Sequence, residues 1–345
     1  MELHLLVTLL SFAVHFFLIV PFINILYRIK FQRAKQETRD VFDNPTPIFD
    51  RFHQHKHGTP VGGGILIVAL STILFALSLT TFSMMGTHIT SNYNNVPGEV
   101  FIIFFTFISF ALLGVYDDLH KILFLKRTKF FGMRMRHKLI IMTALALAIG
   151  YWLYSTLGIS ILYVPLLGVF DIGVWYVLFA AFVIVAFANA VNITDGLDGL
   201  ASSLLIVALA GFWVIARSII DVPTSLFIAI WLGGMLAFMY FNVYPARIFM
   251  GDTGALSFGA TFAVIGLILG KPFALPIIGG VFVVEITTSL LQLLYKKFYR
   301  KKLFPVAPLH LWLQLRGWEE PKIVMRLLVF AILFSLLGLM MAFTR

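Results

Sequence analysis

The chain has 345 residues, of which 60% are hydrophobic and only 12% are charged, and its mean hydropathy is +0.95. Soluble domains are about half apolar and about a quarter charged, so this composition excludes an ordinary soluble protein and indicates a polytopic membrane protein. The absence of cysteine excludes disulfides, thiolate metal sites and a cysteine nucleophile.

A membrane-spanning helix needs about 20 largely apolar residues, and ten stretches of the sequence meet this requirement. They are 3–27, 61–82, 99–116, 139–158, 174–191, 200–219, 225–242, 255–270, 273–295 and 323–343. The first stretch follows no basic residue and is too long for a signal peptide, so we predict that it is a retained span. The sequence therefore predicts an all-α polytopic membrane protein with about ten transmembrane helices, as one integral membrane domain over residues 1–345.

The basic residues orient these predicted spans in the bilayer. Twenty-two of the 26 lysines and arginines fall in the segments after the first, third, seventh and ninth spans, which lie on one side. By the positive-inside rule this side is cytoplasmic, and both termini lie outside. We attribute the net charge of +10 mainly to topology, and not to nucleic-acid binding, although it can also attract an anionic substrate.

Ionisable residues at the ends of spans are costly and mark candidate functional sites. The first such group is YDDLHK, residues 116–121, which follows a long apolar run. Asp117 and Asp118 point about 100° apart on a helix, so the two carboxylates need not do the same work. One can face a metal or substrate while the other orients a base or lysine. The alternative is a solvated helix end that Lys121 neutralises.

The second group is NAVNITDGLDG, residues 189–199, between the fifth and sixth spans. Its polar residues recur at every third position, as Asn189, Asn192, Asp195 and Asp198. This spacing places them on one side of a helix, and no lysine or arginine in the segment neutralises them. The pattern favours a site for a hydrated cation or a hydrogen-bonding ligand over a capped turn.

The third group is FNVYPARIFMGDTGA, residues 241–255, in which Asp252 lies between two glycines just before a span. An aspartate in this position can simply cap the helix. A Gly-Asp-Thr-Gly turn is also a suitable ligand for phosphate or metal, because backbone N–H groups converge at a helix N-terminus.

The fourth group is the segment 296–321, which begins with a basic cluster and continues as an aromatic, amphipathic stretch. Most of it is typical of an interfacial helix anchored by tryptophans and by lysines near lipid phosphates. His310 is the member that we separate as a candidate acid–base or diphosphate-binding residue. Glu285, within the ninth span, is a further intramembrane carboxylate without an obvious local partner.

These carboxylates, amides and lysines indicate one class of reaction. Carboxylates bind Mg²⁺, which bridges phosphate oxygens, and lysines neutralise the charge of a diphosphate. A site at the membrane surface indicates that one substrate is a lipid. We therefore predict phosphoryl transfer to or from a lipid phosphate.

The motifs resemble those of a known family, the polyprenyl-phosphate N-acetylhexosamine-1-phosphate transferases. YDDLHK, NAVNITDGLDGLA, FMGDTGALSFG and APLHLWLQLRGWEEPK occur in the family's order, from about Thr59 to Arg326, and TPVGGGILI at 59–67 resembles its first cytoplasmic motif. The His…Gly-Trp-x-Glu pattern that ends in Gly317, Trp318 and Glu320 resembles the branch whose donor is UDP-N-acetylmuramoyl-pentapeptide. The resemblance implies ten helices, a bacterial cytoplasmic (inner) membrane location and a homodimer.

The resemblance also implies a reaction and its residues. UDP-N-acetylmuramoyl-pentapeptide and undecaprenyl phosphate give lipid I and UMP, with Mg²⁺ as cofactor. The implied catalytic residues are Asp117, Asp118, Asp252 and His310, and the implied metal ligands are Asp252 and Asp195. The implied substrate-binding residues are Lys56, Thr59, Lys121, Lys138, Asn189, Asn192, Asp195, Gly196, Leu197, Asp198, Asn242 and Phe249. Which carboxylate of the 117–118 pair is the base, and whether transfer is direct or passes through a phospho-aspartyl enzyme, stays open at this point.

Some positions depart from the family's pattern. Leu311 and Trp312 replace its second and third histidines, Val61 and Gly62 replace Thr-Met, and Met142 replaces a glutamine. The alternatives are therefore a transferase for another UDP-N-acetylhexosamine, an ion-coupled carrier and a scaffold that has lost activity. The clustering of polar groups at one face argues against a carrier, and the intact aspartates argue against a scaffold.

Overall fold

The fold was taken from a computed structural model that describes residues 2–32, 47–53, 56–84, 86, 89–123 and 133–344. The described chain forms thirteen helices and one two-stranded sheet. The elements are α1 (Glu2–Arg28), α2 (Pro47–His53), α3 (Gly63–Met84), α4 (Val96–Leu123), α5 (Met135–Ser155), β1 (Ile161–Val164), β2 (Gly168–Asp171), α6 (Trp175–Thr194), α7 (Leu200–Ser218), α8 (Val222–Asn242), α9 (Gly251–Ile268), α10 (Ala274–Ile278), α11 (Gly280–Tyr299), α12 (Leu309–Leu315) and α13 (Glu320–Phe343).

Nine of the helices in the described part of the chain are long and apolar enough to cross a membrane. They correspond to the first eight predicted spans and the last one, which confirms the all-α polytopic class. The ninth predicted span, 273–295, is instead divided into α10 and α11. The break falls at Gly279, next to a second glycine and close to Pro276. The second half of α11 also carries polar side chains, so it is less apolar than the other long helices.

The helix α9 forms the centre of the bundle, because all of its residues are buried. It packs mainly against α4 and α6, and α8 packs against α1 and α7. The outer helices instead expose apolar side chains such as Phe17, which is 75% exposed. Apolar residues at the periphery are expected for a protein whose outer surface contacts lipid. The first turn of α9, at the centre, is where Asp252 lies.

A β-hairpin between α5 and α6 is the one element class that the sequence did not predict. Its strands pair antiparallel, with Ile161 opposite Asp171 and Val164 opposite Gly168. The Tyr163 hydroxyl donates a hydrogen bond to the carbonyl of Thr344, 2.8 Å away. The hairpin therefore contacts the end of α13, at the opposite end of the bundle from Asp252.

Candidate active site

Two aspartates and two lysines from three helices meet at one end of the bundle. The ammonium of Lys138 donates to Asp117 Oδ2 at 2.9 Å and also to Asp252 Oδ2. The ammonium of Lys121 lies 2.7 Å from Asp252 Oδ1 and 3.2 Å from Asp117 Oδ2. The backbone N–H of Met133 donates to the second oxygen of Asp117 at 2.7 Å. The sequence predicted all four charged residues, and the structure brings them together as one cluster.

Asp118 has a different set of partners from its neighbour. Its carboxylate accepts hydrogen bonds from the backbone N–H of Asp252 at 3.1 Å and of Thr253 at 3.0 Å, and from the Thr253 hydroxyl at 2.9 Å. The first N–H groups of a helix have no partner within the helix. Asp118 on α4 thus caps α9 from outside, and it fixes the backbone of Asp252.

The position of Asp252 depends on close backbone contacts. A Cβ on Gly114 would lie 2.4 Å from the carbonyl oxygen of Asp252, so α4 and α9 can approach this closely only with glycine there. Gly251 has φ +75°, a conformation that favours glycine. Just before it, Phe249 pairs with Val61 in a parallel bridge. The start of α9 is therefore held from both sides.

The second predicted group lies at the end of α6. Asn192 donates to Asp252 Oδ2 at 3.3 Å, which connects this motif to the charged cluster. Asn189 is half-buried and donates to a backbone carbonyl of its own helix at 2.8 Å. Asp195 is half-buried and follows the last residue of α6. The helix α6 thus reaches the charged cluster through Asn192.

A second charged cluster surrounds Lys56. Its ammonium donates to Asp198 Oδ1 at 2.7 Å, to Glu320 Oε1 at 2.6 Å and to the carbonyl of Gly196 at 3.3 Å. The same Glu320 oxygen accepts from the backbone N–H of Asp198 at 2.5 Å. Leu197, between them, is buried. The motif that ends α6 and the start of α13 therefore form one polar wall.

The remaining predicted nucleotide-pocket residues line the segment before α9. Asn242 is buried, accepts from the Ser202 hydroxyl at 2.8 Å and donates to the carbonyl of Ile248 at 2.9 Å. Phe249 is half-buried, and its ring centroid lies 5.9 Å from the Lys56 ammonium. Thr59 is half-buried three residues after Lys56. Asn242 thus shapes the turn that carries Phe249 beside the second cluster.

His310 at the start of α12 is paired with a carboxylate. Its Nδ1 lies 3.0 Å from Glu285 Oε2, and its backbone N–H donates to both oxygens of Glu285, at 3.2 and 3.4 Å. Both side chains are buried. A Cβ on Gly196 would lie 2.6 Å from His310 Nε2, so that ring nitrogen faces the backbone beside the Lys56 cluster.

The positions that depart from the family's pattern have packing roles. Leu311 is buried in the bundle, and Met142 is completely buried. The Arg316 guanidinium lies over the ring of Trp312, 4.6 Å from the ring centroid. Val61 is buried in the bridge with Phe249. These side chains fill space or stack, so they alter the surroundings of the clusters and leave the aspartates and lysines in contact.

Sequence reasoning left three contributors to the site without a role. Glu320 was seen only as part of a motif, Glu285 had no partner nearby in sequence, and the backbone N–H of Met133 carries no sequence signal. The first two have one signal in common, because each is a carboxylate at or within an apolar span. Such residues are costly unless they are paired. The partner of Glu320 is Lys56 and the partner of Glu285 is His310, and both partners are predicted site residues.

Oxygen ligands for a metal are present but sparse. Within the described ranges, no group of three or more His, Asp or Glu side chains is arranged to hold a metal ion. Two carboxylates, Asp117 and Asp252, converge on the same two ammonium groups. Mg²⁺ is often bound by one or two carboxylates together with water and substrate phosphates. The donor chemistry of this cluster fits such an ion.

A bundle of apolar helices with lysines and aspartates grouped at one end is typical of a membrane enzyme that acts on a charged substrate. The sequence model of glycosyl transferase family 4 matches residues 100–270. Three relatives, each named phospho-N-acetylmuramoyl-pentapeptide-transferase, match nearly the whole chain. The protein of Caldanaerobacter subterraneus subsp. tengcongensis is 36% identical over 317 residues, 92% of each chain. That of Clostridium perfringens (strain 13 / Type A) is 32% identical over 330 residues, 95% of each. That of Geobacillus sp. (strain WCH70) is 34% identical over 333 residues, 96% of this chain and 95% of the relative.

The chain belongs to the phospho-N-acetylmuramoyl-pentapeptide-transferase family. It is therefore a multi-pass membrane protein of a transferase family, which agrees with the family resemblance of its motifs.

Proposed function

We propose that the protein transfers phospho-N-acetylmuramoyl-pentapeptide from its UDP-linked donor to undecaprenyl phosphate, giving lipid I and UMP. The names of relatives that match over nine-tenths of the chain support this substrate. The observation that carries the proposal is the cluster of Asp117, Lys121, Lys138 and Asp252. We assign this activity to one integral membrane domain over residues 1–345, with the cluster at the cytoplasmic face of the bacterial inner membrane.

The charged cluster can bind both phosphate groups of the reaction. An oxygen of the carrier phosphate forms a bond to the sugar-linked phosphorus, and the bond from that phosphorus to UMP breaks. Lys121 and Lys138 neutralise the diphosphate, because ammonium groups in a water-poor site strongly stabilise phosphate charge. Asp117 accepts any residual proton of the carrier phosphate. Asp118 acts through position, since its hydrogen bonds hold the backbone of Asp252.

Asp252 and Asp195 form the site that we propose for Mg²⁺. When bound, the ion supplies a Lewis acid that stabilises the departing phosphate. Asn192 orients the Asp252 carboxylate through its amide. His310 faces Gly196 with Nε2 while Glu285 holds its Nδ1, so we assign His310 to hydrogen bonding with the donor rather than to the metal.

The nucleotide end of the donor fits the second cluster. We assign uridine recognition to Lys56, Asp198, Asn242 and Phe249, because charged and amide groups lie beside a partly exposed aromatic ring. We infer that the half-buried ring of Phe249 stacks on the uracil base. Thr59, Asn189 and Leu197 complete the lining as supporting residues. This assignment puts UMP and the reacting phosphates at two clusters joined by the Asn192–Asp198 segment.

A second candidate donor is another UDP-N-acetylhexosamine. It is favoured by Leu311 and Trp312, which remove two polar side chains next to His310. These positions now pack against the bundle and Arg316. The charged clusters are common to both candidates, so the choice depends on the sugar donor alone. The homodimer that the resemblance implies stays a prediction.

The test measures UMP release by purified protein in detergent with undecaprenyl phosphate and Mg²⁺. UDP-N-acetylmuramoyl-pentapeptide and UDP-N-acetylglucosamine are supplied in separate reactions, and Asp252→Asn is the matched inactive control. We expect UMP from the muramoyl donor only, with a loss of about 10²-fold or more in the variant. UMP from the other donor alone would reassign the substrate. No UMP from either donor, in protein that elutes as a folded species, would contradict a transferase.

A further inference from the structure

The helix α11 is buried in the bundle at its start and becomes exposed towards its end. Its buried residues all lie in its first six positions and end with Glu285. Further along, Leu290, Leu291 and Leu294 are 53%, 44% and 41% exposed. An exposed leucine face on a protein of this class contacts lipid. We therefore expect the basic end of α11 to lie at the level of the lipid headgroups.

That end carries a concentration of positive charge beside exposed aromatic rings. Lys297, Arg300, Lys301 and Lys302 are exposed, and we call these four residues the basic patch. Between them, Phe298 and Tyr299 are 71% and 65% exposed. The sequence contains no Asp or Glu from residue 286 to residue 318. This stretch therefore contributes no carboxylate of its own to neutralise the patch.

The basic patch has a defined shape. Arg300 ends α11 in the left-handed conformation, with φ 54°, and reverses the chain. Gln292 then holds the segment that follows the turn, because its side chain accepts hydrogen bonds from the N–H of Leu303 at 3.0 Å and of Phe304 at 2.8 Å. It also donates to the carbonyl of Phe304 at 3.0 Å. The four cations are thus presented by a closed turn.

We propose that the basic patch binds the phosphate headgroups of anionic phospholipids in the leaflet next to the active site. Lysine and arginine near an anionic membrane surface each add about fivefold to binding at moderate salt. Phe298 and Tyr299 have the amphipathic or apolar character that favours the interface between headgroups and acyl chains. The continuous leucine face of α11 joins the patch to the bilayer. A membrane surface satisfies all three features together.

This interaction has a consequence for the active site. The patch is at one end of α11, and Glu285, which orients His310, is in the buried part of the same helix. Lys302 precedes His310 by eight positions in the sequence. Anionic lipids at the patch would fix the end of α11 at the membrane surface, and thereby the helix that supports His310.

The experiment uses the absence of native cysteine. Leu303→Cys, at a position 42% exposed beside the patch, carries a bimane label. The labelled full chain is reconstituted in vesicles that contain either dibrominated phosphatidylglycerol or dibrominated phosphatidylcholine, which quench the label at short range. Ile29→Cys, 62% exposed beside Arg28 and Lys30 at the end of α1, is the control site. The patch variant is K297Q/K301Q/K302Q, checked for a folded elution profile.

We expect quenching of the label at Leu303→Cys to show that phosphatidylglycerol is enriched over phosphatidylcholine by about fivefold or more. The enrichment should be smaller at Ile29→Cys. The preference should disappear in K297Q/K301Q/K302Q. It should also disappear at about 1 M salt, because the Debye length is then only about 3 Å. Equal quenching by the two lipids in the unmodified patch would overturn the proposal, as would a preference that survives the triple substitution. Displacement of phosphatidylglycerol by equimolar undecaprenyl phosphate would also overturn it, and would assign the patch to the acceptor lipid.

Discussion

Asp117 and Asp118 are adjacent in sequence but accept hydrogen bonds from different partners. Asp117 meets two ammonium groups, and Asp118 meets two backbone N–H groups and a hydroxyl of α9. The 100° turn between neighbours predicted from sequence that their roles could differ. Only the packing of α4 against α9 determines which carboxylate meets which partner.

Substitution of each residue by asparagine should separate these roles. Asp118→Asn puts an amide N–H against backbone N–H donors, so we expect the free energy of unfolding to fall by about 1–3 kcal/mol together with activity. Asp117→Asn keeps the cap, and Lys121 and Lys138 keep Asp252 as a carboxylate partner, so we expect a smaller loss of stability and turnover reduced by about 10²-fold or more. Thermal unfolding in detergent and UMP release measure the two effects. Equal loss of stability in both variants would contradict the division of roles.

The contacts of Glu285 predict which tautomer His310 adopts. The carboxylate accepts from the backbone N–H of His310 and lies next to Nδ1. It therefore favours the proton on Nδ1 and leaves Nε2 free to accept a hydrogen bond. Glu285→Gln removes this preference for one tautomer. Mutation of a carboxylate that orients a metal-binding histidine typically costs about 10- to 100-fold in activity, and we expect a loss of similar size for the orientation of His310.

The control for Glu285→Gln is Glu285→Asp, which keeps the charge and should recover part of the activity. The double variant with His310→Asn distinguishes positioning from a purely structural role. If Glu285 acts through His310, the double variant should be no less active than His310→Asn alone. Losses that multiply in the double variant would show that the two residues act independently.

At the scale of elements, helices with strong apolar patterns were predicted well from sequence. The first eight predicted spans and the last one are helices, because about twenty apolar residues leave few other ways to satisfy backbone groups in lipid. The division of the ninth span at Gly279 was missed, since an apolar count does not register a pair of glycines. The β-hairpin was also missed, because each strand has only four residues.

The candidate site was predicted as a set of residues and not as an arrangement. The motifs identified Asp117, Lys121, Lys138 and Asp252, and the structure adds that each lysine bridges the two aspartates. The pairings of both lysines with Asp252 join residues more than a hundred positions apart, so no local pattern encodes them. They follow from the close approach of α4 and α9, which the sequence records only as one glycine, Gly114.

Gly114→Ala tests whether this close approach positions the site. The new Cβ would lie 2.4 Å from backbone atoms of Asp252 and Thr253, which cannot move without shifting the first turn of α9. Overpacking of this kind costs about 1–3 kcal/mol. A displacement of about 1 Å at a reacting group can cost about 10²-fold in rate. We expect turnover to fall by that order while the protein still folds.

The matched control is Gly266→Ala, at the other end of the same helix. Its Cβ would meet the side chain of Leu275 at 3.0 Å, and a leucine side chain can adjust. UMP release and thermal unfolding are compared for both variants. Near-normal activity in Gly114→Ala, or an equal loss in Gly266→Ala, would contradict a specific role for the helix contact at Asp252.

At the scale of the whole molecule, the distribution of charge predicts the orientation in the membrane. The two charged clusters and the basic patch belong to one end of the bundle, and the β-hairpin belongs to the other. UDP-linked sugars are cytoplasmic nucleotides, so the proposed reaction requires the charged end to face the cytoplasm. The positive-inside rule gives the same orientation from a different physical cause, the retention of lysine and arginine during insertion.

Cysteine labelling measures this orientation directly, because the native chain has no cysteine to label. Leu167→Cys lies at the tip of the hairpin, where the side chain is 73% exposed, and Phe298→Cys lies in the basic patch at 71% exposure. A membrane-impermeant maleimide should label Leu167→Cys in intact bacterial cells and Phe298→Cys only after the membrane is permeabilised. The unmodified chain controls for background, and permeabilised cells control for reactivity at both sites. The opposite pattern would place the lysine–aspartate cluster outside, where it would have no access to a cytoplasmic nucleotide donor, and the proposed reaction would then be wrong together with the topology.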